Sequence, residues 1–102
     1  MNITDVQIRR IFERRMLKAT LTIVIDHDFA VHDIKILMND SGRLFIAMPS
    51  RQNKKHGGFC DVTHPIGSKA REELEKQILL EYYKQLDNEE MSEIIINADG
   101  YF

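Results

Sequence analysis

Between Arg51 and Arg71 the chain holds five cations, Arg51, Lys54, Lys55, Lys69 and Arg71, against a single acid, Asp61. Guanidinium and ammonium groups this concentrated suit an anion, and phosphate above all, because Arg meets it bidentately and Lys as a point charge. Gly57-Gly58 and the preceding Lys54-Lys55-His56 read as the tip of a mobile surface loop. Lys69 and Arg71 fall in the first turn of a helix capped by Ser68, where the macrodipole disfavours cations by roughly a few tenths of a kcal/mol. Cations there gain a reason if an anion binds beside the free N–H groups of the helix start. The competing account is a solvated loop and helix end with no ligand. Arg9, Arg14, Arg15 and Lys18, near the first chain reversal, extend the cationic surface.

Two other constellations invite chemistry and fail on geometry. Asp26, His27, Asp28, His32 and Asp33 resemble a metal or acid/base cluster. Extended chain alternates faces, so His27 and His32 point apart, and a polar turn followed by a hydrogen-bonded strand histidine is the plainer account. Cys60 and His64 stand four residues apart, about 13 Å in extended chain, too far for a nucleophile and its base. No phosphate-cradling glycine motif occurs, and Phe12, Phe29, Phe45 and Phe59 read as sheet core, not a base-stacking platform. No catalytic, cofactor-binding or metal-binding residue is therefore expected.

The elements that position the cations follow from periodicity. Ile3–Phe12 reads as a strand with Val6, Ile8 and Phe12 on one face and Asp5, Gln7 and Arg9 on the other. Lys18–Ile25 alternates strictly, placing Ala19, Leu21, Ile23 and Ile25 opposite Thr20 and Thr22. After a turn at Asp26-His27-Asp28, Phe29–Met38 puts Ala30, Ile34 and Ile36 on one face and Val31, Asp33 and Lys35 on the other. A second turn at Asn39–Gly42 leads into Arg43–Met48, which Pro49 stops. Phe59–Val62 reads as a short fifth strand. Ala70, Leu74, Ile78, Tyr82 and Leu86, widened by Leu79 and Tyr83, form the apolar stripe of a helix packed on the sheet. The prediction is an α+β fold: an antiparallel meander of four or five strands, then an amphipathic helix. Residues 1–86 form the domain and 87–102 an acidic tail, in which Ile94-Ile95-Ile96 favours a strand and Ala98–Phe102 a frayed end.

The totals bound the rest. At 102 residues one domain is expected. A net charge of -2 conceals twelve Lys/Arg against seven Asp/Glu in residues 1–71 and two against nine in residues 72–102. A basic body with an acidic last third attracts polyanions locally. One cysteine, no apolar run long enough to cross a membrane and no signal-peptide pattern at the N-terminus point to a cytoplasmic protein.

Thr4-Asp5-Val6, the run Ile25–Ile34, Phe45-Ile46-Ala47-Met48-Pro49-Ser50 and His64-Pro65-Ile66 resemble the SpoVG (stage V sporulation protein G) family of bacteria, in ordered blocks through about residues 1–86. The resemblance implies a small cytoplasmic homodimer. It also implies a non-enzymatic regulator that binds DNA and RNA and influences septation, sporulation or gene expression. It attributes binding to basic residues after the Met-Pro-Ser block and near the helix start, here Arg51, Lys54, Lys55, Lys69 and Arg71. Two departures bear on sequence preference: Arg51-Gln52-Asn53-Lys54-Lys55 stands where the family has a Lys/Arg-Arg-Thr-Pro-like run, and Cys60 stands where a basic residue is common. Against a nucleic-acid-binding dimer built by edge-to-edge strand pairing stand two rivals. One is a protein-interaction module of the division machinery. The other is a metal-dependent hydrolase on Asp26, His27, His32 and Asp33.

Overall fold

The alternating segment Lys18–Ile25 lies in a central strand that is paired along both edges. The computed structural model describes the backbone of residues 2–99 and the side chains of residues 2–87. β1 (Ile3–Ile11), β2 (Leu17–Ile25), β3 (Phe29–Met38) and β4 (Leu44–Ala47) form one antiparallel sheet in chain order. β5 (Ser50–Gln52) and β6 (Phe59–Asp61) form a separate two-stranded hairpin, and α1 (Ser68–Asp99) closes the chain. The α+β meander with a C-terminal helix is thus the observed architecture. The fifth strand, however, pairs with a strand the sequence did not reveal instead of joining the sheet.

One face of the sheet meets one stripe of the helix. Ala19, Leu21 and Ile23 of β2, Ile34 and Ile36 of β3, and Ile46 of β4 are buried with Leu74, Ile78 and Tyr82 of α1. Each large aliphatic side chain removed from water contributes about 1.5–3 kcal/mol, so this layer is the main source of stability. The helix continues through Leu86 to Asp99, so the strand expected at Ile94–Ile96 is not formed. Met1 and Gly100–Phe102 lie outside the described residues, which leaves the frayed end expected there undescribed beyond Ala98 and Asp99, both helical. The first intrahelical bond runs from the Arg71 N–H to the Gly67 carbonyl (3.3 Å), so Gly67 takes the cap position and Ser68 is the first helical residue.

Bulges correct the expected faces of two strands. In β3, Leu21 pairs with Ile34 and Ile23 with Val31, so His32 and Asp33 together oppose Thr22. Asp33 sits at φ 61, a left-handed conformation that Asp tolerates better than most residues. The extra residue flips the parity, so Val31, not Ala30, joins Ile34 and Ile36 over the core. A similar shift between Ile8 and Arg10 in β1 brings Ile11 to the core side and ends the strand before Phe12. The turn between β2 and β3 lies where expected. Asp26 and His27 have φ of 53 and 62, and the Asp28 N–H donates to the Ile25 carbonyl at 3.0 Å.

Candidate nucleic-acid interface

Pro49 ends β4, and the chain then doubles back on itself away from the sheet. Ser50 pairs with Asp61, Arg51 with Cys60 and Gln52 with Phe59. The base closes where the Val62 N–H donates to the Pro49 carbonyl at 2.7 Å. At the tip, the Asn53 side-chain oxygen accepts from the backbone N–H groups of Lys55 and His56 (3.1 and 3.2 Å), while the Asn53 N–H donates to the Gly58 carbonyl (2.9 Å). Gly57 and Gly58 adopt φ of 72 and 70, which lets the chain return in so few residues. The segment expected as a mobile loop is therefore a hydrogen-bonded tip, and Asn53 holds Lys54 and Lys55 at its crest. Arg51, Lys54 and Lys55 line one open hollow of about 410 Å³, with Gln52, Asn53 and Cys60 completing it.

The other two cations are placed differently. Lys69 is exposed in the first turn of α1, which contains no acidic residue. Arg71 is half-engaged: its Nη2 donates to the Ile46 carbonyl of β4 (2.9 Å) and its Nε faces the Glu75 carboxylate at 3.3 Å. Arg71 thus fastens the helix start to the outer edge of β4, a tie that the sequence did not signal. Its side chain remains 43% exposed. Three of the five predicted cations share one hollow, Lys69 stands at the helix start, and Arg71 anchors that start to the sheet.

The rival constellations are placed as follows. His32 Nδ1 lies 3.0 Å from Thr22 Oγ1, which also accepts from Arg9 Nε at 3.4 Å; Thr22 is almost wholly buried. Arg9 Nη2 donates to Gln7 Oε1 (2.6 Å) and Gln7 Nε2 to Asp5 Oδ2 (2.9 Å). A polar chain therefore crosses the outer face of three strands, and the bulge at His32-Asp33 creates it. Among the described residues no three His, Cys, Asp or Glu side chains stand together as metal ligands would. His64 Nδ1 donates to the Pro65 carbonyl at 3.0 Å, and Cys60 is exposed in β6.

Comparison with known proteins decides the relationship. The SpoVG family model matches residues 1–84. The chain belongs to the SpoVG family. It is 42% identical over 98 residues to a protein of Exiguobacterium sibiricum named "Putative septation protein SpoVG", covering 96% of this chain and 93% of that one. Proteins of the same name from Caldanaerobacter subterraneus subsp. tengcongensis and Clostridium kluyveri are 46% and 44% identical, over 86% and 91% of this chain and 94% and 95% of their own lengths. The match includes the β5–β6 hairpin and the first half of α1, so the cationic elements belong to the shared region. Among the described residues no helix is long and apolar enough to cross a membrane.

Proposed function

We propose that this SpoVG-family chain is a non-enzymatic, cytoplasmic, dimeric regulator that binds DNA or RNA through the β5–β6 hairpin and the start of α1. The carrying observation is the hollow formed by Arg51, Lys54 and Lys55, which faces solvent with no carboxylate lining it. Lys69 adds a further exposed cation beside the N–H groups of the helix start. Backbone contact of this kind recognises phosphate and reads bases little, so weak sequence discrimination is expected. The septation named for its relatives supports such a role here, and we extend the proposal to sporulation, with division or sporulation proteins as further partners.

A second copy has a natural place. Phe29 and Val62 are both 64% exposed and line one hollow with Pro49, and Phe59 and Ile66 nearby in sequence are more exposed still. A lone two-stranded hairpin is marginal in water, and packing against a partner would stabilise it. This supports pairing through the hairpin region more than through the sheet edges. β1 is interrupted by bulges, and the Ile46 carbonyl of β4 is already occupied by Arg71.

The test is a salt-titrated binding curve with unrelated DNA and RNA oligomers. A dimer making about six to ten phosphate contacts loses roughly 10³–10⁵ in affinity between about 50 and 200 mM salt. Reversing Arg51, Lys54 and Lys55 to Glu should abolish duplex binding with the circular-dichroism spectrum unchanged. Undiminished binding by that variant would place the interface elsewhere. The alternative reading, a protein-interaction module of the division machinery, predicts that the same variant captures protein partners as well as the wild type does.

A further inference from the structure

The hairpin is not the only cationic end of the molecule. β1 runs into β2 through Phe12–Met16, and the β3–β4 turn lies beside that connection, since the Met38 N–H donates to the Met16 carbonyl at 2.8 Å. Here the guanidinium carbons of Arg10 and Arg14 lie 4.9 and 4.7 Å from the centroid of the Phe12 ring. Neither arginine forms an ion pair among the described residues, although Glu13 lies between them in sequence. Lys18 Nζ donates to the Arg14 carbonyl at 2.7 Å, which fixes the loop that carries Arg14 and the exposed Arg15. Stacking on one ring holds two guanidinium groups in place before any ligand arrives.

The same Phe12 lines a cleft of about 720 Å³, with Ile11, Met38, Leu44, Tyr83 and Leu86 among its walls and Lys18 and Glu13 as charged members. That volume lies within the roughly 300–1,000 Å³ usual for small-molecule sites. Tyr83 is 51% exposed and its ring is tilted 53° to that of Tyr82, with the centroids 5.8 Å apart. With the Arg10 and Arg14 guanidinium groups lying over Phe12, the half-exposed Tyr83 is the ring on which a nucleobase can stack in this cleft, while neighbouring phosphates meet the guanidinium groups. Glu13 offers an acceptor to an exocyclic amine. A paired duplex keeps its base faces stacked inside and cannot make this contact.

We propose that this end of the sheet is a second nucleic-acid site that takes a single-stranded segment, with a base in the Phe12–Tyr83 cleft and phosphates on Arg10, Arg14 and Arg15. The proposal rests on the nucleic-acid reading of the hairpin but uses none of its residues. The two sites lie at opposite ends of β3, because Phe29 and Ala30 adjoin the hairpin base and Met38 lines the cleft. Ten residues at about 3.3 Å each put them roughly 30 Å apart, several screening lengths at physiological salt, so each acts on its own charge.

Fluorescence anisotropy with a labelled 20-nucleotide single strand and its matching duplex tests this on the full chain. Tyr83→Leu keeps the cleft apolar and removes the ring. It should weaken single-strand binding roughly tenfold and leave duplex binding within about twofold. The double change Arg10→Gln with Arg14→Gln should also weaken the single strand. Cross-linking of wild-type protein to a strand containing 5-bromouracil, mapped by mass spectrometry, should mark peptides that contain Phe12 or Tyr83. Cross-links confined to the hairpin, or single-strand affinity unchanged in both variants, would overturn the second site while leaving the hairpin reading intact. No binding of either polymer by the wild type would overturn both.

Discussion

Arg71 shows how one residue can be drawn into the fold before it serves a ligand. Its position in an acid-free first turn reads as a phosphate contact, yet its Nη2 is donated to the Ile46 carbonyl and its Nε to Glu75. A charged hydrogen bond to a backbone carbonyl that is half-shielded contributes about 1–2 kcal/mol after allowance for solvent. Arg71→Gln should therefore lower the unfolding free energy by that amount, seen as a lower urea midpoint at unchanged slope, whereas Lys69→Gln should stay within about 0.5 kcal/mol of wild type and weaken only nucleic-acid binding. Asp33 makes a second case at the same scale. Its φ of 61 is acceptable to Asp or Gly but poor for a β-branched side chain. Asp33→Ile should cost about 1–2 kcal/mol in chemical denaturation, while Asp33→Gly should be neutral or stabilising. Equal stability of both variants would mean that the bulge relaxes instead of holding its geometry.

Among the elements, helix and hairpin are stabilised by opposite means. α1 depends on buried aliphatic area: Ile78 is fully buried against the sheet, so Ile78→Ala should cost about 2–5 kcal/mol and loosen the whole domain. The β5–β6 hairpin buries none of its strand residues and depends on local hydrogen bonds centred on Asn53. Asn53→Ala should accordingly speed amide exchange at Lys55 and His56 and leave the protection of β2 and β3 amides unchanged. The difference explains what was legible. The helix and the four-stranded meander announce themselves through apolar period, while β5 has no apolar residue to mark it. Asn53 followed by Lys-Lys-His-Gly-Gly was the available signal for an ordered tip, because an Asx side chain bonds the backbone two residues on.

For the whole molecule the question is what covers the apolar surface beside the cations. With Phe59 77% and Val62 64% exposed, a partner copy at the hairpin would bury both and bring two cationic hollows near one another. Changing Phe59 and Val62 together to Glu should yield a folded monomer in sedimentation velocity, while the proposal expects the wild type to sediment as a dimer. A wild-type monomer at micromolar concentration would remove the dimer from the proposal. Loss of the dimer should also flatten the salt dependence of binding, since each protomer alone makes fewer phosphate contacts.

By itself the sequence determined the four main strands, the helix that covers them and the identity of the cationic residues, because burial period and charge are written one residue at a time. The fold alone decided three further matters: which face Val31 and Ile11 take, that Arg71 ties the helix to β4, and that Phe12 gathers Arg10 and Arg14 beside Tyr83. Each depends on a bulge or on contacts between residues far apart in the chain. Such pairings leave no trace in local pattern, since a single extra residue in a strand reverses every face beyond it.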